Sequence, residues 1–240
     1  MALGSSNTIV EDSIIEVGSN LVNATNFGID LSGIQNLITR SRITVEGGPG
    51  SPDAWGLNQV DVQGSVISGN AIWMRSVGSN VAAVFIQNSQ HPITYVNNTF
   101  MGSYSTAGVV SVAFQADSQS TGVVTVLNNA FDGFALISNY LAPQNLLVQS
   151  NRFNGAQHLT CNQYLGCSDD PNNGLSFKSG SFDNAIADCK LANLFAGDWH
   201  LTTGSPCIDT ASPDPSTPSR DLDGDSRPLG NLLDIGADEF

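Results

Sequence analysis

Aspartates near the carboxyl end of the chain have the residue type and spacing of a calcium loop. Eight of the 22 acidic residues lie between residues 209 and 239. Asp221, Asp223 and Asp225 alternate there, and Gly224 permits a tight turn between them. Carboxylate oxygens two residues apart on a turn are suitable calcium ligands, although an EF-hand places its glycine later and adds a glutamate at the twelfth position. Ca²⁺ at these three aspartates is the cofactor that the sequence suggests, and no other is expected.

A structural interpretation of the same residues stays open. Asp221 can cap a turn, because its side-chain oxygens can accept backbone N–H groups. Arg227 can pair with Asp234 or with Glu239 through charge-assisted hydrogen bonds. Both explanations account for a run of carboxylates at this place.

Basic residues offer a second chemistry, the recognition or deprotonation of an acidic sugar. Abstracting a proton beside a uronate carboxylate needs a base, and a second cation to neutralise that carboxylate. Arg40 and Arg42 lie two residues apart, so a strand would place them on one face as an anion-binding pair; Arg75 is the third catalytic candidate. A solvated outer face is the simpler interpretation, and the net charge of −14 favours it because this charge repels polyuronates.

Two further catalytic patterns are weak in this sequence. Glycoside hydrolysis needs carboxylates gathered at one cleft, but the adjacent Asp169 and Asp170 precede Pro171 and are better explained as an acidic turn. The three histidines, His91, His158 and His200, lie far apart and form no metal or triad pattern. Packing beside Trp199 explains His200.

The four cysteines all lie in the last third of the chain, at Cys161, Cys167, Cys189 and Cys207. Their spacing fits a zinc site poorly, since there is no CxxC and no histidine at finger spacing. An even number in a chain rich in Asn, Gly and Ser is typical of disulfides, which place the protein outside the cytoplasm. Among the three possible pairings we favour Cys161 with Cys167 and Cys189 with Cys207.

The composition indicates an all-β protein and excludes several partners. Only 12% of the residues are charged, so long helices with many ion pairs and coiled coils are excluded. The negative balance argues against nucleic acid and anionic lipid as partners, because phosphate binding needs a positive surface. No run of eighteen apolar residues exists, so membrane insertion is not expected.

Short runs of β-branched and apolar residues recur up to about residue 155, each closed by Asn or Gly. Residues 42–47, 60–64 and 93–96 are examples, and their alternating pattern predicts strands of three to six residues. No segment with helical periodicity of ten residues or more separates them.

A repeat overlies these strands. Residues 96–102, 127–133 and 149–155 share the order strand, Asn, one residue, Phe, one residue, Gly. Phe131 follows Phe100 by 31 residues and Phe153 follows Phe131 by 22, which indicates solenoid coils with loops of variable length. We expect the phenylalanines to fill one interior slot in successive coils, and the asparagines to form corners and to bond to the asparagine one coil away. A β-sandwich is less consistent, because tight Asn-Gly hairpins are absent.

These repeats resemble those of right-handed parallel β-helix proteins, the pectate-lyase-like superfamily. The carboxyl end is similar to the closing segment of choice-of-anchor Q type bacterial surface proteins. The strings that carry this second resemblance are Gly197-Asp198-Trp199-His200-Leu201, residues 204–209, Asp221-Leu222-Asp223-Gly224-Asp225-Ser226-Arg227-Pro228 and residues 234–240. The resemblance implies an all-β right-handed parallel β-helix with a looped, disulfide-containing C-terminal cap.

We divide this single domain into three parts. Residues 1–155 form the β-helix coils, residues 156–193 form a looped insertion, and residues 194–240 form a C-terminal capping segment. The cap is expected to cover the last coil, whose exposed strand edges would otherwise pair with another chain.

The leading functional hypothesis is a non-catalytic extracellular or cell-surface scaffold for adhesion or assembly. Its partners would be polysaccharide or other cell-surface material, or further copies stacked on the uncapped first coil as fibres. Aromatic residues on one face could bind sugar rings, although most such residues belong to the core: Trp55, Trp73, Tyr95, Tyr104 and Tyr140. The alternative implied by the superfamily resemblance is a polysaccharide lyase or glycoside hydrolase with the three candidate arginines facing its substrate.

Overall fold

The β-branched runs of the sequence form short strands that lie side by side in parallel sheets. The computed structural model describes residues 1–4, 6–18, 25–47, 53–76, 80–102, 111–134, 136–139, 145–155, 158–162, 166–173, 177–193 and 196–240. The strands in chain order are β1 Ala2–Gly4, β2 Ile9–Glu11, β3 Ile14–Gly18, β4 Asn26–Ile34, β5 Leu37–Thr39, β6 Arg42–Gly47, β7 Asp53–Gln63, β8 Ser65–Ser68, β9 Ala71–Ser76, β10 Asn80–Gln87, β11 Ile93–Val96, β12 Thr99–Gly102, β13 Ser111–Ala116, β14 Val124–Leu127, β15 Ala130–Asp132, β16 Leu136–Asn139, β17 Leu146–Gln149, β18 Arg152–Asn154, β19 His158–Asn162, β20 Gly166–Ser168, β21 Ala185–Ile186, β22 Leu191–Asn193 and β23 Asp198–Leu201.

These strands wind into a solenoid in which each coil adds one strand to each of three sheets. Sheet A has the order β1-β4-β7-β10-β13-β16-β19-β20, sheet B the order β17-β14-β11-β8-β5-β2, and sheet C the order β21-β18-β15-β12-β9-β6-β3. Neighbouring coils pair in parallel, and a small antiparallel pair, β22 with β23, stands apart. The predicted parallel β-helix is confirmed, and the described residues contain no α-helix.

The interior is filled by columns of like residues, one from each coil. Phe100, Phe131 and Phe153 are register partners on the inner face of sheet C and are buried. The rings of Phe100 and Phe131 stack with centroids 5.0 Å apart and planes 5° apart, and Phe153 continues the stack at 5.3 Å. Stacking one aromatic ring on the next keeps the coils in register and removes each ring from water, which stabilises by about 1.5–3 kcal/mol for each fully buried side chain.

Asparagines form a ladder at the corner between sheets B and C. The backbone N–H and side-chain Nδ2 of Asn98 both donate to Oδ1 of Asn129, at 2.9 and 3.0 Å. Asn129 donates in the same way to Asn151, and Asn151 to Asn184. The residue before each rung makes the bend in the left-handed region, as Asn128 does with φ 56°. The ladder therefore satisfies the buried polar groups of successive corners.

The last 38 residues lie outside the coils and against the side of the solenoid. Residues 203–240, here called the lateral segment, run along the side of the solenoid at the corner of sheets B and C. Ser212 contacts Asn128 and Ser150, Thr217 contacts Asn97, and Asp223 contacts Arg42 of an early coil. Burial of apolar surface explains this course of the lateral segment. The segment and Trp199 cover small and apolar residues on the outer face of sheet C: Ala71, Trp73, Met101 and Ala130.

The region predicted as a looped insertion continues the coils in part. β19 adds a strand to sheet A, β21 adds one to sheet C, and Phe177 and Phe182 bridge to β17 of sheet B. These strands are only two to five residues long and lack the Asn-Phe-Gly repeat, so the sequence carries little signal for them.

One predicted disulfide is present and joins this region to the lateral segment. Cys189 and Cys207 are bonded, which confirms that pairing. Cys161 and Cys167 stand opposite each other in the antiparallel pair of β19 and β20, and Cys167 is not a free thiol. The side chain of Cys161 lies outside the described part of the chain, so the second pairing stays a prediction.

Candidate functional site

A groove of about 440 Å³ lies between the first coils and the lateral segment. Arg40 occupies the left-handed corner position after β5, with φ 44°, and Arg42 begins β6. Arg220 reaches the groove from the lateral segment. Three of the eight Lys and Arg side chains of the chain therefore line one cleft, here called the arginine groove, whose acidic lining residues are Asp12 and Asp223.

Carboxylates hold these arginines in place. Arg40 donates from Nε and Nη2 to both oxygens of Asp12, at 2.9 and 2.8 Å, and from Nη2 to Glu11 at 2.7 Å. The hydrogen bond to Asp12 is the main cause that raises the pKa of the Arg40 guanidinium, and it lowers the pKa of Asp12 in turn. Arg42 pairs with Asp223 at 2.5 Å, and Arg220 donates to the carbonyl of Gly224.

The structure thus brings together two of the three arginines singled out in the sequence. Arg40 and Arg42 share the groove, although Arg40 lies in a corner and not in a strand. Arg75 lies elsewhere: it pairs with Glu46 at 3.4 Å, and its guanidinium lies 4.9 Å from the ring centroid of Trp73.

The three aspartates proposed as calcium ligands do not converge. Asp221 is buried, and its Oδ1 accepts the backbone N–H groups of Asp223 and Asp225, at 3.0 and 2.8 Å. Its Oδ2 accepts the backbone N–H of Glu239. Asp221 therefore caps the turn and ties it to the chain end, while Asp223 points to Arg42 and Asp225 is exposed.

A buried ion pair completes the structural interpretation of this acidic segment. Arg227 Nη1 lies 3.3 Å from Glu239 Oε1, and both side chains are almost fully buried. Arg227 also donates to the carbonyl of Gly236. Burial lowers the pKa of Arg227 and raises the pKa of Glu239, because the charged forms lose water on both sides.

His200 joins two aspartates in a cluster that the sequence interpretation missed. Its Nε2 lies 2.7 Å from Asp223 Oδ2, and its Nδ1 lies 2.5 Å from Asp198 Oδ1. Among the described residues, His200, Asp223 and Asp238 form one group whose ligand atoms all lie within 4.8 Å of one another. The available signal in the sequence was the alternation of β23, in which Trp199 is buried and His200 is exposed. Nothing in the local sequence indicates that Asp223 and Asp238 lie beside His200.

Two members of this cluster, His200 and Asp238, have raised pKa values. The hydrogen bond with Asp198 raises the pKa of His200, against a smaller opposing effect of burial. Burial raises the pKa of Asp238 to about 6, even though its Oδ2 accepts the backbone N–H of Leu201 at 2.9 Å. The cluster thus places His200 and Asp238, two groups with raised pKa values, beside the arginine groove.

The aromatic residues considered for sugar binding are dispersed. Tyr95 is buried and donates to Gln59, and Trp73 packs edge-on against Trp199. Trp55 is half-buried on sheet A in a row with two phenylalanines, Phe27 at 5.0 Å and Phe85 at 4.2 Å between ring centroids. Tyr104 and Tyr140 lie outside the described residues.

Comparison with known proteins supports the fold. No protein-family model matches the sequence, and no curated protein matches it either. Among solved structures, the chain is similar to the crystal structure of pectate lyase Pel9A, with a TM-score of 0.50 and 15% sequence identity. The similarity covers 99% of this chain and 66% of that enzyme, so the chain spans somewhat less than two thirds of its length. This likeness shows a shared parallel β-helix fold; the kinship with choice-of-anchor Q proteins stays a prediction.

No helix in the described part of the chain is long and apolar enough to cross a membrane.

Proposed function

We propose that this protein is a non-catalytic extracellular or cell-surface β-helix scaffold for adhesion, and that it contacts acidic glycans through the arginine groove. The observation that carries the proposal is the concentration of basic residues. Three of only eight Lys and Arg side chains line this groove in a chain of net charge −14. A cleft that gathers three arginines offers an anionic ligand contacts at short range on a protein that is otherwise acidic.

The ligand class follows from the geometry of the guanidinium group. Its planar fork of five N–H donors matches a carboxylate, which every uronic acid residue carries. The contacts described above use Nε and Nη2 of Arg40, Nη2 of Arg42 and Nη1 of Arg220. These ion pairs and the bond of Arg220 to the Gly224 carbonyl fix the orientation of the three groups, and other donors of the same groups can bind a ligand carboxylate.

Binding is favoured over cleavage because of the state of Arg40. A general base must be available without its proton, and it works best when its pKa lies near the working pH. Two carboxylates hold Arg40 and raise its pKa, which opposes that role. The extracellular setting rests on the Cys189–Cys207 disulfide, a bond that persists in oxidising compartments.

Titration calorimetry with defined sugars tests this proposal. The double variant Arg42→Gln/Arg220→Gln should bind oligogalacturonate at least roughly tenfold more weakly than the native chain, because two charge-assisted hydrogen bonds are lost. Lys178→Gln removes one exposed charge elsewhere and is the control, with unchanged affinity expected. Neutral oligosaccharides of the same length should not bind.

Three outcomes would overturn the proposal. Equal binding of acidic and neutral sugars, or equal binding by the groove variant, would remove the groove as the site. Formation of an unsaturated product from the acidic polysaccharide would favour the lyase alternative over the scaffold. Loss of that activity in the groove variant would then identify the arginine groove as the active site.

The assembly part of the scaffold hypothesis concerns the two ends of the solenoid. β1, β2 and β3 are terminal strands of their sheets at one end, and β21 is terminal at the other. Ile9 is 64% exposed at the first end and Ile186 is 66% exposed at the second. Parallel strand edges with apolar residues at both ends favour stacking of one copy on the next.

A further inference from the structure

Three segments that are distant in sequence place three potential metal ligands at one point. His200 comes from β23, Asp223 from the turn of the lateral segment, and Asp238 from the chain end. One ligand atom from each lies within 4.8 Å of the other two. The calcium hypothesis used Asp221, Asp223 and Asp225, and Asp223 also lines the arginine groove. Neither accounts for the convergence of Asp223 with His200 and Asp238.

Each of the three side chains is held on its far side by a group outside the cluster. Nδ1 of His200 faces Asp198 at 2.5 Å, which can accept the Nδ1 proton and leaves Nε2 directed at Asp223. Oδ1 of Asp223 accepts from Arg42, and Oδ2 of Asp238 accepts the backbone N–H of Leu201. Histidines that bind metals are commonly oriented by a carboxylate in this way, and ligating carboxylates are hydrogen-bonded in turn.

We propose that His200 Nε2, with one carboxylate oxygen each of Asp223 and Asp238, binds a divalent transition metal of the zinc class. One imidazole nitrogen with two carboxylate oxygens suits zinc and its neighbours, whereas calcium prefers six to eight oxygens. Zinc bonds of about 2.0–2.2 Å place tetrahedral ligands roughly 3.3 Å apart. The His200–Asp223 pair at 2.7 Å must therefore open slightly, and the ligand atom of Asp238 lies within 4.8 Å of both.

The ion would fasten the lateral segment to the solenoid. It would join β23, the turn at Asp223 and the chain end, and Arg42 would connect it to an early coil through Asp223. Three protein ligands leave the fourth position of a tetrahedral zinc ion to solvent, since His200 and Asp223 are partly exposed. The site does not depend on the glycan proposal, because its ligands require no sugar.

Titration of the chelator-treated full chain with Zn²⁺ alone tests the site. We expect one zinc ion per chain and a higher midpoint of thermal unfolding in its presence. His200→Ala and Asp238→Asn should abolish both effects. Asp198→Asn, which changes only the positioning residue, should weaken zinc binding about 10–100-fold.

Matched variants separate this site from unspecific binding. His91→Ala removes another exposed histidine, and Asp225→Asn removes a carboxylate of the same turn that lies outside the cluster; both should bind zinc as the native chain does. Ca²⁺ alone at the same concentration should not shift the unfolding midpoint. Replacing Zn²⁺ by Co²⁺ gives a visible spectrum that reports a nitrogen and oxygen ligand set directly.

The results that would overturn the proposal are equally defined. The proposal is wrong if the chain does not bind zinc, or if zinc binding survives both His200→Ala and Asp238→Asn. It is also wrong if zinc binding disappears with His91→Ala or Asp225→Asn, or if calcium gives the same effect. Circular dichroism checks the folding of each variant. If Asp238→Asn unfolds the chain, the exposed His200 and Asp198 variants decide the question.

Discussion

Two adjacent asparagines, Asn128 and Asn129, have different roles at the corner of sheets B and C. Asn129 belongs to the internal ladder, where its side chain donates to the carbonyls of Tyr95 and Leu127 and to Oδ1 of Asn151. Asn128, one residue earlier, bends the chain in the left-handed region and faces outward. There it donates to the carbonyl of Ser212 and accepts the backbone N–H of Ser212. The doubled Asn-Asn of the repeat thus joins one coil to the next and the coils to the lateral segment.

Removing one rung tests the ladder. Asn129→Ala should lower the free energy of unfolding by about 1–3 kcal/mol, because the backbone N–H of Asn98 remains buried without its acceptor. Urea denaturation measures the change. Asn173→Ala, at an exposed turn, is the control and should stay within about 0.5 kcal/mol of the native chain. Equal destabilisation by both substitutions would contradict a special role for the ladder.

Among the elements, the lateral segment decides how much of the surface is available. It covers the apolar outer face of sheet C and forms one wall of the arginine groove. Its close approach constrains the corner as well: a Cβ at Gly69 would lie 2.9 Å from Pro218 Cγ, and φ at Gly69 is 65°. Side chains and disulfide together, and not strand pairing, keep this segment in place.

The disulfide is the covalent part of that attachment. Cys189→Ala/Cys207→Ala should lower the free energy of unfolding by about 3 kcal/mol, because the bond closes a loop between residues 18 apart in sequence. Thermal unfolding with and without reductant measures the effect. The reductant should destabilise the native chain more than the double variant; an equal response of both proteins would assign the effect to the other two cysteines.

In the molecule as a whole, two kinds of surface are candidate interfaces. The side of the solenoid carries the arginine groove, and the ends carry strand edges with exposed isoleucines. The high negative charge opposes close association of copies at low ionic strength, since like charges repel. Stacking of copies should therefore strengthen as salt is added.

Light scattering across concentration and salt tests the stacking of copies. We expect the mean mass to rise with both, and to fall towards that of one chain in the variants Ile9→Asp and Ile186→Asp. Leu232→Asp, at another exposed apolar position outside the two ends, is the matched control and should behave as the native chain. A native chain of constant mass under all conditions would refute end-to-end assembly.

Features that depend on neighbouring residues and on the repeat are predictable from the amino-acid sequence. Alternating β-branched runs indicated the strands, and the Asn-x-Phe-x-Gly spacing predicted stacked coils, because strand geometry has a period of two and each coil repeats one environment. The pairing of Cys189 with Cys207 was also anticipated. These are local or periodic signals, and they can be read without knowing the path of the chain.

The meeting points of the charged residues depend on the path of the chain in three dimensions. Arg42 and Asp223 are 181 residues apart in sequence, and His200 meets Asp238 only because the lateral segment returns along the corner. An Asp-x-Asp-Gly-Asp string looks the same whether its carboxylates bind an ion or cap a turn. The difference depends on which backbone N–H groups come within reach of Asp221, and packing against the outer face of sheet C sets that arrangement.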